Sequence, residues 1–432
     1  MKNKFITLLL SLCMVATLCI NAKADNVSAS VILAGQTLSV KAYDTAAYSV
    51  NTNVEAKDSS GNKFTAVTQK TGGDSGNWNA KLIWNTGDAT PTLYLKNFIV
   101  DNYNEQTQKW KDTKTIPIDL PAGQPMKVVI SGNSQIKSRF GITYRSNLEI
   151  KSEGSAKLTI RNLSSAITSG PATGCALTLN ANLDLFVAAY YDTNSHILQT
   201  NQADLTINGG NIKITTDDKS TLAGILTRNS GNIIINGGNL DVTGSIGAAP
   251  NNGTIQSAGK IAISGGIVKA TAKASAGLYA KSGIEISGGS AEILTPYYGI
   301  NAGTPDASAD ITIHGGTVKI TAQRAFFTHP ILGEGVFAYA GADEASAKTY
   351  DGTYTPMAKE PWMLISNDPA LKRTEPTSAP TAPSTAPTVP TDATGNQLPY
   401  LSPSLVYWFA ATGAIGLIGI VVTLIVFKRK KA

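Results

Sequence analysis

Past its first 24 residues this chain of 432 residues holds a single cysteine, Cys175. An internal disulfide in the exported part is therefore excluded, and stability has to come from packing alone. Histidine is almost as scarce. There are three, His196, His314 and His329, with no short ligand spacing among them, so a histidine-based metal centre is not encoded. A net positive charge is also lacking where it would matter. Of 36 Lys and Arg, seven lie in the terminal segments (Lys2, Lys4, Lys23 and the four cations from Lys428 to Lys431), leaving 29 against 30 Asp and Glu. A near-neutral body gives no electrostatic footprint for nucleic acid.

What is abundant is glycine, 40 residues, and much of it is ordered in a repeat. The phrase LTINGGNIKI at 205–214 returns as IIINGGNLDV at 233–242, IAISGGIVKA at 261–270, IEISGGSAEI at 284–293 and ITIHGGTVKI at 311–320. Steps between the leading glycines (Gly209, Gly237, Gly265, Gly288, Gly315) are 28, 28, 23 and 27 residues. Propeller blades need about 40–45 residues and helical repeats about 33–47, so the step fits one coil of a parallel β-helix. Each phrase alternates apolar and other residues on both sides of the Gly-Gly bend, reading as strand, corner, strand. Leu205, Ile207, Ile212 and Ile214 share the inward side, while Thr206, Lys213, Asp241, Lys269, Glu285, Glu292 and Lys319 suit solvent. Ile234 and Ala262 depart from this pattern and mark covered surface.

A third strand precedes each phrase: GILT at 224–227, TIQS at 254–257, GLYA at 277–280 and GINA at 299–302. Weaker copies run N-terminally through 93–100, 126–136, 148–160 and 176–187, with third strands at 141–144 and 166–169. The expectation is an all-β, right-handed parallel β-helix of three strands per coil and about nine coils, roughly 40–45 Å long. Asn208, Asn236, Ser264, Ser287 and His314, each before a Gly-Gly, would stack as a polar ladder.

The ends of the chain carry targeting signals. Lys2 and Lys4 precede an apolar run from Phe5 to Ile20, and Ala22-Lys23-Ala24 offers a signal-peptidase site, giving a signal peptide over 1–24. Residues 405–427 carry no charge, long enough to span a bilayer, and four cations follow at once, placing the 428–432 tail inside and the rest outside. Thr374–Gly395, rich in Pro, Thr and Ala, cannot build a core and reads as an extended spacer of roughly 70 Å at full stretch. The expected organisation is therefore signal peptide 1–24, N-terminal β cap region 25–87, β-helix with C-terminal cap 88–371, linker 372–404, transmembrane helix 405–427 and basic tail 428–432. Strand-like alternation at 30–43, with Trp78 and Trp84, belongs to the first cap; 336–341 and 361–366 belong to the second.

The layout resembles surface proteins of Gram-positive bacteria, and the x-I-x-I-x-G-G-x-I-x-I repeats over roughly 93–366 resemble a carbohydrate-binding, pectate-lyase-like parallel β-helix family. Leu398-Pro399 matches the start of a sortase signal, but Leu401 and Ser402 stand where its threonine and glycine belong, so membrane retention is expected instead of wall attachment. The resemblance implies glycan as partner and a role in carbohydrate binding or adhesion; a polysaccharide lyase or glycoside hydrolase, and a structural spacer without ligand, are the alternatives. The family's acidic calcium corner is echoed at Asp217-Asp218, where a solvated acidic turn is the competing reading, and no other cofactor is implied.

No catalytic residues emerge. Asp241 and Glu292 would lie roughly 10 Å apart with Lys269 between them, flanked by Lys213 and Lys319, which reads as a surface charge ladder. Aromatic pairs are the binding candidates: Tyr190 and Tyr191, and Tyr297 and Tyr298, each beside a third strand, with Phe326-Phe327 placed similarly and Tyr144 and Tyr279 in third strands. Strand alternation puts one ring of each pair in the core and one outside, where it could stack on sugar or simply cover a neighbouring coil.

Overall fold

A computed structural model describes residues 28–41, 48–57, 63–71, 79–85, 88–104, 109–110, 116–187, 196–216, 223–244, 252–304, 307–350 and 361–373. The chain divides into two units, Met1–Lys372 and Arg373–Ala432. Nearly all of the second lies outside the described residues, as do the segments expected to be the signal peptide (1–24), the spacer and the transmembrane helix (405–427). Among the described residues no helix is long and apolar enough to cross a membrane.

The first unit is a parallel β-solenoid. Three sheets run along it, and each turn contributes one strand to each. The first sheet takes the strand before the Gly-Gly corner, such as Ile233–Ile235 and Ile261–Ile263; the second takes the strand after it, such as Asn239–Gly244 and Ile267–Ala272. The third takes the segments Ile225–Arg228, Gly253–Ser257, Ala276–Ala280 and Tyr298–Thr304. Seven interior turns have parallel partners on both sides in all three sheets, and a terminal turn at each end borders antiparallel strands.

Register follows from the repeat. Ile207, Ile235, Ile263, Ile286 and Ile313 are successive Cα partners in the first sheet. Each is at most 1% exposed, so a continuous aliphatic column fills the interior. Hydrogen bonds run from turn to turn, as in Asn236 N–H to the Ile207 carbonyl at 2.8 Å and Ser264 N–H to the Ile235 carbonyl at 2.9 Å. Tyr144 lies in this core too, 1% exposed, and burial raises its phenol above the ordinary range, so its hydroxyl stays a donor, to the Gln199 carbonyl at 3.4 Å. Cys175 is buried, which likewise raises its thiol.

The corners differ. Gly210, Gly238, Gly266, Gly289 and Gly316 all have positive φ, between 74° and 87°, a conformation costly for any residue with a Cβ. The turns also approach closely there. The polar residues beside this corner stack in part as expected: Asn236 Nδ2 donates to Asn208 Oδ1 at 2.9 Å and Ser264 Oγ to Asn236 Oδ1 at 2.9 Å. Ser287 and His314 continue the column through backbone bonds to the Ile263 and Ile286 carbonyls. Connections between first- and second-sheet strands take one to four residues, whereas those between the second and third sheets range from two to sixteen. Unequal step lengths are thus absorbed mainly at the second corner.

Antiparallel strands border both ends and cover edges that would otherwise be free to pair. Ser28–Leu33 and Gln36–Lys41 form a hairpin whose first strand pairs Ile118–Ala122. Ala80–Ile83 pairs Thr92–Leu95, with Trp84 buried beside it; Trp78 lies outside the described residues. At the other end Trp362–Ser366 pairs Thr317–Thr321 on one side and Phe337–Gly341 on the other.

Candidate functional site

Entry into the third sheet breaks strict alternation, and this places the aromatic rings. A Cβ on Gly277 would meet Ile293 Cγ2 at 2.3 Å, and one on Gly299 would meet Ile320 Cγ2 at 2.4 Å, so both glycines face the core. The next residues, Leu278 and Ile300, are 0% exposed and belong to the same core. Two consecutive residues therefore point inward, and the residue before them is turned out. Tyr298 is that residue. It is buried, but in a satellite cluster with Ala276 and Tyr279 against which Tyr297 packs, separate from the main core. One ring of the pair is thus buried and the other partly exposed, as alternation expects, but the buried ring, Tyr298, packs in this satellite cluster and not in the main core. The Phe326-Phe327 pair does alternate, with Phe326 fully buried and Phe327 37% exposed.

The result is an aromatic patch on the outer face of the third sheet. Tyr297 and Tyr298 meet edge to face with centroids 4.5 Å apart, and Tyr298 and Phe327 do so at 5.1 Å. Arg324, the Cα partner of Tyr298 in the next turn, holds its guanidinium 5.7 Å above the Tyr298 ring and donates to Tyr298 Oη at 3.3 Å. Tyr279 Oη donates to the Gly303 carbonyl at 2.9 Å, and burial raises its phenol, keeping that proton in place. Tyr298 is therefore a fixed floor, with half-buried Tyr297 and exposed Phe327 as its accessible rims. Arg324 escaped sequence reasoning; its only signal is a position two residues before Phe326, matching Tyr298 two before Ile300.

Tyr190 and Tyr191 lie outside the described residues, as do Asp217 and Asp218. Among the described residues no group of three or more His, Cys, Asp or Glu could hold a metal ion. His329 accepts or donates at Tyr350 Oη, 2.9 Å away, and Nδ1 stands 2.8 Å from the Pro330 carbonyl. The charge column falls where the repeat places it, with Lys213, Asp241, Lys269, Glu292 and Lys319 in register and Lys269 Nζ 3.7 Å from Glu292 Oε2. No protein-family model matches this chain, and neither a curated protein nor a solved structure matches it.

Proposed function

We propose that the protein is a cell-surface glycan-binding β-solenoid, acting in adhesion or substrate capture. One observation carries this reading: the patch of Tyr297, Tyr298 and Phe327 on the outer face of the third sheet, backed by Arg324. Flat rings held rigidly by edge-to-face contacts offer the apolar faces of sugar rings a surface already ordered before binding. In this reading the coil is right-handed, the hand that parallel strand crossovers take almost without exception. The signal over 1–24, the 405–427 span and the terminal cations support a single-pass anchor with the solenoid outside, on a Gram-positive cell.

A glycan array probed with the purified full chain tests the binding. Phe327→Ala and Tyr297→Ala should each weaken the best ligand by about 1–2 kcal/mol, roughly 5- to 30-fold, and leave the melting temperature unchanged. Tyr298→Ala should lower the melting temperature, because Tyr298 is only 8% exposed. Rim variants that bind every glycan as the parent does would assign the patch to packing. The topology has its own check. Protease applied to intact cells should release the ectodomain and leave a small membrane-bound C-terminal fragment; recovery of the whole chain in a soluble cytoplasmic fraction would refute it.

A further inference from the structure

The outer face of the second sheet carries a column that glycan binding does not use. Asp184, Lys213, Asp241, Lys269, Glu292 and Lys319 stack in register in six successive turns, and the sign of charge alternates at every step. The alternation continues at both ends, where Arg161 reaches Asp184 at 4.0 Å and Glu344 reaches Lys319 at 3.0 Å. A column serving only to tie turns together would close its own pairs. Among the described residues just one neighbouring pair within the six closes, Lys269 with Glu292 at 3.7 Å. Lys213 and Asp241 form no ion pair among the described residues, although their Cα positions are in register. Two large apolar side chains flank the column on the same face, Ile267 at 56% and Leu294 at 47% exposure.

We propose that this face binds a second copy of the chain, sheet against sheet, with the two solenoid axes antiparallel. A two-fold axis along the strand direction reverses the order of turns. An alternating column of even count, once reversed, sets every charge against its opposite. Asp184 then faces Lys319 of the second copy, Lys213 faces Glu292, and Asp241 faces Lys269. A two-fold axis along the solenoid would instead keep the order of turns and oppose like charges, so repulsion selects the antiparallel arrangement. The face spans five steps of ~4.8 Å and about six residues of ~3.3 Å, roughly 500 Å² per copy. A total near 1,000 Å² is at the low end of specific interfaces, so the dimer is weak, reversible and sensitive to salt.

The test uses the full chain in nonionic detergent, followed by analytical ultracentrifugation at about 50 mM and about 500 mM salt. The parent should dimerise at low salt and dissociate at high salt. Lys213→Glu and Glu292→Lys each place two like-charge contacts in their own homodimer and should each weaken it by about tenfold or more. An equimolar mixture of the two variants should recover the dimer, because each chain supplies the charge the other lacks. Each substitution also sets like charges in register within its own chain, the new acid at position 213 between Asp184 and Asp241 or the new cation at position 292 between Lys269 and Lys319. Melting by circular dichroism should therefore fall slightly for both, alone and in the mixture, while only the mixture regains the dimer. A parent that is monomeric at low salt, a mixture that stays monomeric, or a dimer indifferent to both substitutions would each overturn the proposal. The last outcome would point to a different face.

Discussion

Aspartate in place of Ile263 should destabilise the solenoid by several kcal/mol, enough to lower the denaturation midpoint sharply. Ile263 is 1% exposed and stacked between Ile235 and Ile286, themselves at most 1% exposed. A carboxylate there meets no cation and no hydrogen-bond donor, so the chain must either bury an unpaired charge or open the wall; such losses run at about 3–5 kcal/mol. The position is central, so the lesion removes contacts on two sides, and in a stacked array each turn leans on its neighbours alone. Lys269→Asp is the control. It exchanges a half-exposed side chain on the outer face, removes one exposed ion pair and sets an acid between Asp241 and Glu292, costing about 1–2 kcal/mol in all. Urea denaturation of both variants against the parent measures the difference, and equal losses at the two sites would mean that the inward register is wrong.

Gly266→Ala should rival that loss although it adds a single methyl group. Gly266 has φ 79°, and a Cβ would lie 2.6 Å from the Gly238 carbonyl oxygen and 2.7 Å from the Gly237 carbonyl carbon. Both are backbone atoms of the turn below, which cannot rotate aside as a side chain would. The left-handed backbone alone costs about 1–2 kcal/mol, and prising the turns apart adds to it. Gly123→Ala separates the two contributions. Gly123 has φ 80°, but a Cβ added there would meet nothing within 4 Å, so its substitution should show the backbone cost alone, about 1 kcal/mol. Thermal melts that fall equally for the two alanines would remove close stacking as the reason for the second glycine.

The fold was legible because the repeat acts twice: it sets the period of the chain and, through stacking, the register of the sheets. Once Ile207 and Ile235 are recognised as equivalent in sequence, their pairing as Cα neighbours follows, and the same holds down to Ile313. The site was legible only in part. Tyr297 and Tyr298 stand out as a pair, and alternation gives one buried ring but not its satellite cluster, because Gly299 lets the wall bend so closely to Ile320 that two successive positions face inward. The contact of Arg324 with Tyr298 spans one turn and depends on register at a corner where connection lengths vary, so no local pattern announces it. Tyr190, Tyr191, Asp217 and Asp218 lie outside the described residues.

The contrast between the two corners bears on how such a molecule can change over generations. At the Gly-Gly edge the five repeat turns keep one spacing and one backbone conformation, each tied by hydrogen bonds to the next. Between the second and third sheets the chain already tolerates connections of two to sixteen residues while the strands on either side keep their partners. Lengthening a connection there carries only the slowly growing entropy of a longer loop. Connections at this edge can therefore be lengthened one turn at a time while the regular Gly-Gly turns keep their spacing.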